Sequence, residues 1–356
     1  MKEFSPIKLP LSHDVESKKI LKKTILANKA LAALNEVAKI IPNHNILINS
    51  LALQEAKDSS EIENIITTHD ELYIADLDIK HLTKETKEVQ NYKNALLKGY
   101  GLVGEHKLLL KRHIVEIQKE LEQNDAGVRR QSGTNLKNTQ TGEVIFVSPQ
   151  DYEEIESLLA NLESYMNKPN ELDALVNMAI IHYQFETIHP FYDGNGRTGR
   201  ILNILYLILQ DLLALPILYL SNYIIQNKRD YYRLLQEVRT NGNWEEWILY
   251  MLDGVEKTSL ETIILIQDIA KLMKETKHII REKLPKIYSK DLIEILFSHP
   301  YTKIDFLVEG LDLHRETASK YLKEIEKLGI LESVKVGRGK YFVNKLLFER
   351  LKKGIA

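Results

Sequence analysis

The chain has 356 residues, long enough for two or three domains. Its 48 Lys/Arg and 50 Asp/Glu leave a net charge of −2, so the protein as a whole is no electrostatic magnet for nucleic acid. It contains no cysteine, which excludes disulfides and thiolate metal sites.

The start, Met1 to Ser5, leads to Pro6 and Pro10 rather than to an apolar run, so no secretory signal is read and a cytoplasmic enzyme is expected. Helical periodicity then dominates Glu16 to Ala38, Thr86 to Lys98, Lys107 to Gln123 and Glu153 to Met166. Between the first two, Ser60-Glu61-Ile62-Glu63 has the form of a capping box and predicts a helix starting there, with Ser60 as N-cap. Gly127 to Ser148 is polar and glycine-rich and leads into Val144-Ile145-Phe146-Val147, a short β-prone run that reads as a hairpin. Asp173 to Ile188 reads as a buried helix, and Arg200 to Leu213, apolar on nearly all faces, as a core helix. Ile201 to Leu220 raises the question of a membrane span. Asn203, Gln210, Asp211 and Pro216 answer it, since one central Asp alone costs ~2.5–3.5 kcal/mol on insertion scales.

The C-terminal part reads as a separate unit. A charged helical stretch from Gly254 to Glu282 leads to Pro285, near which a boundary is placed. Three short helical patterns follow, Lys290 to Ser298, Lys303 to Glu309 and His314 to Leu328, and then two strands within Leu331 to Asn344 around Gly337-Arg338-Gly339. Three helices and a hairpin make a winged helix. From His314 onward 11 Lys/Arg face 5 Asp/Glu, and the stripe Arg315, Lys320, Lys323, Lys335, Arg338 and Lys340 suits phosphates. DNA is therefore the first partner to test, with a protein-binding or dimerising role as the alternative. The expected fold is mainly α: a helical bundle around the Arg200 helix with a small β-hairpin, plus the winged helix. The expected units are 1–100, 101–284 and 285–356.

One stretch concentrates chemistry. Residues 189–200 read HPFYDGNGRTGR. Pro190 biases His189 away from helical angles, so the preceding helix should stop there. Gly194-Asn195-Gly196 opens the next helix, where free N–H groups and the helix dipole favour an anion and glycines admit close approach. Arg197 and Arg200 lie three apart, on one face of the first turn, and can fork onto phosphate oxygens. Asp193 is a hard oxygen ligand suited to Mg²⁺ held partly by phosphates. His189 has the right ordinary pKa, about 6.5, for a general base.

This stretch resembles, at every fixed position, the signature H-x-F-x-D/E-G-N-G-R-x-x-R of the Fic family. The resemblance implies a protein adenylyltransferase that moves AMP from ATP to a Ser, Thr or Tyr hydroxyl of target proteins and of itself. It implies His189 as general base, Phe191 as a buried anchor and Asp193 as the Mg²⁺ ligand. Gly194, Asn195 and Gly196 would cradle phosphates, Arg197 would contact the α- and β-phosphates, and Arg200 the γ-phosphate. Thr198 and Gly199 belong to the same ATP-binding turn. Gly196 favours AMP transfer, because a phosphorylating branch carries lysine there. Upstream, residues 59–64, SSEIEN, resemble the family's inhibitory motif S/T-x-x-x-E-G/N, with Ser59, Glu63 and Asn64 at the fixed positions. Glu63 would pair with Arg200 and deny it to the γ-phosphate. The resemblance further implies that the hairpin is a flap aligning a target segment, that Tyr231 sits beside the adenine or ribose, and that a homodimer forms through the core. Two alternatives stay open: removal of AMP at the same site with Glu63 activating water, and a DNA-binding regulator whose core is weak.

Overall fold

The computed structural model describes residues 6–75, 82–131, 135–137, 144–336 and 339–353. In chain order the helices before the hairpin are α1 (Lys18–Ala38), α2 (Asn45–Ile62), α3 (His69–Ala75), α4 (Lys84–His106) and α5 (Lys111–Glu122). The hairpin strands β1 (Asn135–Lys137) and β2 (Val144–Val147) follow. Then come α6 (Tyr152–Asn167), α7 (Ala174–Ile188), α8 (Asn195–Leu209), α9 (Leu220–Gln226), α10 (Lys228–Asn241) and α11 (Trp244–Lys283). The last unit holds α12 (Lys290–Ser298), β3 (Tyr301–Thr302), α13 (Ile304–Leu311), α14 (Arg315–Lys327), β4 (Glu332–Val336), β5 (Gly339–Val343) and α15 (Lys345–Lys353).

The architecture follows from one helix that cannot face water. Along α8, Ile201, Leu202, Ile204, Leu205 and Leu207 are all fully buried, so the helix needs neighbours on every side. It finds them in α7, α4, α5 and α2. Gly99 on α4 permits one of these approaches: a Cβ there would come within 2.5 Å of Leu205 Cδ1 and 2.9 Å of Ile117 Cδ1. No helix among the described residues is long and apolar enough to cross a membrane. α8 ends at Leu209, before the polar Gln210 and Asp211, so the apolar run is a core helix.

Several elements differ from the sequence expectation. The capping-box reading at Ser60 is overturned. α2 runs from Asn45 to Ile62 and ends where a helix was expected to begin, with Glu63 as its C-cap and Asn64 in left-handed geometry (φ 64°). The reason is burial: Ser59 and Ser60 are fully enclosed, and α2 is covered along most of its length, including Gln54, Glu55 and Asp58. Polar residues at buried positions hide helical periodicity. The charged helical stretch expected from Gly254 to Glu282 begins earlier, at Trp244, within one 40-residue helix, α11.

α2 is fixed by hydrogen bonds on several sides. Glu55 accepts from the Ser221 backbone at 2.9 Å, from Ser221 Oγ at 2.5 Å and from Tyr92 Oη at 3.1 Å. Burial pushes this carboxyl up to about 7, against those hydrogen bonds. Tyr219 donates to Asp58. Gln54 Nε2 donates to the Leu351 carbonyl at 2.8 Å, so the C-terminal unit packs directly on α2. That unit is a three-stranded antiparallel sheet in the order β3-β5-β4 with α12, α13 and α14, and Tyr73 of α3 packs edge-on against its His299 and Phe348. Gly337 and Arg338, expected in the turn between its last two strands, lie outside the described residues.

The substitution Gly99→Val should overpack the contact between α4, α5 and α8 and destabilise the fold by roughly 1–3 kcal/mol. A lowered midpoint in thermal or urea unfolding checks this.

Candidate active site

α7 stops at Ile188, and His189 caps it in left-handed geometry (φ 50°, ψ 59°), its N–H bonded to the Phe185 carbonyl at 3.0 Å. The loop that follows is held by Asn195. Its amide oxygen accepts from the Phe191 N–H at 2.8 Å and its amide nitrogen donates to the Phe191 carbonyl at 2.8 Å. Phe191 is fully buried against Phe185. The Asn195 side chain therefore staples the loop, and what α8 offers to a phosphate here is its N-terminal backbone. Gly194 caps α8 at φ 76°, a conformation few other residues tolerate.

A cleft of about 430 Å³ lies over this turn. Its walls include Glu63, Glu88, His189, Asp193, Gly196 and Arg197. His189 Nδ1 is buried, so Nε2 is the nitrogen left to face the cleft. Withdrawal from water pushes this imidazole down to about 4, helped by the charge of Arg129 and opposed by the Glu186 backbone and the Glu63 charge. His189 is thus neutral, with a free lone pair, across the physiological range. The Asp193 side chain is 80% exposed, and Oδ1 accepts from the Gly194 N–H at 2.7 Å.

Arg200 is almost fully enclosed, its side chain 1% exposed. Nε donates to Ser59 Oγ at 2.7 Å, and Nη2 donates to the Ser59 carbonyl at 2.9 Å and to Glu63 Oε1 at 2.8 Å. The two motifs, far apart in sequence, thus meet as an ion pair. Burial pushes the Glu63 carboxyl up, but the Arg200 charge and hydrogen bond overcome it and leave it below the usual range. The same carboxylate lies against Gly196, so that a side chain there would collide with Glu63 Oε1. Asn64 is exposed and accepts from Lys228 Nζ at 3.3 Å.

Thr198 and Gly199 face inward. Gly199 donates no side chain but its carbonyl accepts from His182 Nδ1 at 3.2 Å, which fixes that ring's tautomer and makes Nε2 the acceptor from Tyr231 Oη at 2.8 Å. Burial, with the Arg200 charge, holds His182 down at about 3. Tyr231 is 1% exposed and sits in this core, edge-on to Tyr232. This departs from the expectation of Tyr231 beside a nucleotide: Tyr232, 45% exposed, is the tyrosine of the pair that reaches solvent. Two adjacent tyrosines on an amphipathic helix differ only in the face they occupy, and packing decides that.

Four residues were missed by sequence reasoning. Arg129 is fully buried; it donates from Nε to the His189 carbonyl at 2.8 Å and from Nη2 to Ser148 Oγ at 3.0 Å and to the Pro149 carbonyl. Its own N–H bonds the Pro190 carbonyl at 2.9 Å. One arginine therefore ties both feet of the hairpin to the His189 turn. The hairpin itself is antiparallel, with Asn135 opposite Val147 and a register shift after Leu136; residues 132–134 and 138–143 lie outside the described residues. Glu186 is buried beside Gly199 with Oε1 unpartnered, and burial pushes it up to about 7 against the Arg200 charge. Glu122 and Glu88 pair with Arg197, at 2.8 and 3.4 Å. A lone Arg or Glu in a polar stretch carries no signal in sequence.

The Fic/DOC family model matches residues 108–207, and the Fic/DOC family N-terminal model matches residues 21–101. The chain carries Fic/DOC family domains. Residues 272–347 match the model for the C-terminal domain of protein adenylyltransferase SoFic-like proteins. Among curated proteins, a probable protein adenylyltransferase of Aquifex aeolicus is 32% identical over 83 residues, 23% of each chain. The protein adenylyltransferase Fic of Drosophila grimshawi is 29% identical over 103 residues, 28% of this chain and 20% of that one. The matches thus span about a quarter or less of those relatives' length. Among solved structures, a Fic family protein from Desulfovibrio desulfuricans G20 superposes with a TM-score of 0.60 at 19% identity, covering 94% of this chain and 98% of that one. Residues 134–508 of Fic-1 from C. elegans give a TM-score of 0.55 at 19% identity, over 70% of this chain and 73% of that one. At these identities the structural likeness speaks for the Fic fold.

The electrostatics predict a specific titration. Followed by NMR, His189 should titrate near 4 rather than 6.5. Glu63→Gln should move it lower still, because the Glu63 charge raises it. A midpoint above 6 would contradict the burial of the ring.

Proposed function

We propose that this protein transfers AMP from ATP to a protein hydroxyl and that Glu63 restrains the reaction. The observation that carries this reading is the Arg200–Glu63 pair at 2.8 Å, whose Glu63 lines the cleft that also holds His189. His189 Nε2 takes the proton of the incoming hydroxyl, the hydroxyl oxygen bonds to the α-phosphorus, the α–β bridge breaks, and pyrophosphate leaves. The α8 N-terminus and Arg197 hold phosphates, and Arg200 is reserved for the γ-phosphate. Nucleotidyl transfer of this kind rests on positioning and charge, which the cleft supplies.

Mg²⁺ fits the site in one way. Among the described residues no group of three or more His, Asp or Glu could hold a metal. Asp193 is exposed at the cleft and offers one hard oxygen, so the ion would be shared with phosphates, as Mg²⁺ commonly is. The ion would offset phosphate charge.

With Glu63 in place, the Nε and Nη2 donors of Arg200 are committed to three acceptors and its charge is matched by a carboxylate, while Nη1 lies buried without a partner. The Glu63 carboxylate against Gly196 also puts negative charge where a phosphate would come. The exposure of Glu63, 35% of its side chain, leaves it able to move without unpacking the core. The same exposure supports the second reading: a carboxylate in the cleft could activate water and remove AMP from a modified protein. The hairpin offers an edge for main-chain pairing with an extended target segment.

For the C-terminal unit we propose a winged helix, on the order of its helices and strands. Lys320, Lys323, Lys335 and Lys340 are exposed there, whereas Arg315 is paired with Asp305. Duplex DNA is its first candidate partner, through phosphate contacts. A second copy of the chain, by resemblance, remains the candidate for pairing through the core.

Intact-mass spectrometry after incubation with ATP and Mg²⁺ tests the reading. Glu63→Gly should gain AMP at least about tenfold faster than the wild type, a loss of about 1.4 kcal/mol of restraint. Glu63→Gly with His189→Ala should gain none. Equal labelling of wild type and Glu63→Gly would remove the brake. The acid limb of the Glu63→Gly rate profile should fall at or below about 4, since a base with a depressed pKa stays unprotonated down to that value.

A further inference from the structure

Both arginines of the motif are paired with carboxylates, but the carboxylates differ in kind. Glu63 lies just past the end of α2 and is 35% exposed. Glu122 is the last residue of α5 and Glu88 belongs to α4; their side chains are 14% and 25% exposed. α4 and α5 pack on each other and on α8. Ile117 and Leu121, on the turns of α5 leading to Glu122, are fully buried. The backbone that carries Glu122 is therefore anchored in the core, whereas Glu63 sits on the cap of its helix.

The grip on Arg197 is two-handed. Nη2 donates to Glu122 Oε1 at 2.8 Å and Nη1 to Glu88 Oε2 at 3.4 Å, while the exposed Asp193 stands 3.9 Å away. The guanidinium is 4% exposed. Glu122 also rests on Gly194, the residue that caps α8, so that any side chain at Gly194 would strike its carboxylate. Burial pushes the Glu122 carboxyl up and the Arg197 charge pulls it back, as expected of a pair set in a low-dielectric wall. A free arginine must give up about 2 kcal/mol of rotamer freedom to hold one pose. Here that cost is met when the helices pack, before any nucleotide arrives. A guanidinium carries five N–H donors, so two carboxylate partners leave donors for a phosphate in the cleft that Arg197 lines.

We propose that Glu122, assisted by Glu88, is a positioning residue that fixes Arg197 at the α8 N-terminus for the phosphates of the nucleotide. The proposal rests on the AMP-transfer reading above and adds to it a permanent pair beside the releasable one. Glu63 withdraws Arg200 from the nucleotide; Glu122 presents Arg197 to it.

The test is made in the Glu63→Gly protein, where activity is released. Glu122→Gln keeps the volume and the acceptor oxygen but removes the charge. It should raise the KM for ATP, and the Kd for Mg²⁺·ATP in titration calorimetry, by about tenfold, roughly the worth of one charge-assisted hydrogen bond. The kcat should change less, since the contact serves ground and transition states alike. Glu88→Gln, at the longer distance, should act in the same direction by a smaller factor, and it covers the case in which Glu122→Gln does not fold. Unchanged KM and Kd in folded Glu122→Gln would overturn the proposal. A lower KM would overturn it too, by making Glu122 a second brake. Failure of Glu63→Gly itself to bind Mg²⁺·ATP would overturn the nucleotide reading and this proposal with it. ATP binding without AMP transfer in Glu63→Gly would count against the transfer reading alone, and the Kd comparison would still decide the role of Glu122.

Discussion

A buried guanidinium needs a counter-charge, and the arrangement around Arg200 is organised by that requirement. Its helix, α8, is enclosed on every side, so the side chain has little access to water. Leaving such a group unpaired is costly, several kcal/mol in fully buried cases. The protein meets the need from a distant segment: Ser59 supplies a hydroxyl and a carbonyl, Glu63 a carboxylate. Because Glu63 is partly exposed, water offsets some of its pairing energy, which is what the proposed restraint requires.

Much of the rest serves to aim those groups. Glu55 and Asp58 anchor α2 to Ser221, Tyr92 and Tyr219, and Gln54 anchors it to the C-terminal unit. The C-terminal unit is thus in direct contact with the helix that carries Ser59 and is capped by Glu63. On the other side of the cleft, Arg129 holds the hairpin feet to His189 and Pro190, and Asn195 holds the loop between. Partial withdrawal of the His189 ring from water and the nearby Arg129 charge both favour its neutral form, and the stapled loop holds it in that place. Position and protonation state thus have the same origin.

The motif was legible because its chemistry is local. His189 before a proline, glycines at a helix start and arginines three apart each act within a single turn, and the chain places them so. Helices with a clean apolar face, such as α1 and α6, were also legible, within a few residues at each end. α2 was not, because it is buried on its polar positions as well, and a serine followed three residues later by a glutamate reads equally well as a helix start or, as here, a helix end.

By itself the sequence determined the signature turn, its Fic-type pattern and the type of chemistry each of its residues can perform, since these depend on backbone geometry and side-chain type over a dozen positions. It also carried the pairing partner of Arg200, through the resemblance of the Ser59 to Asn64 stretch. Only the tertiary structure decided which of two adjacent tyrosines reaches solvent, that Arg129 fastens the hairpin, and that Glu122 and Glu88 pair with Arg197. Those are contacts between residues tens of positions apart. Such contacts leave no period or spacing in the chain, because they are set by how whole helices pack.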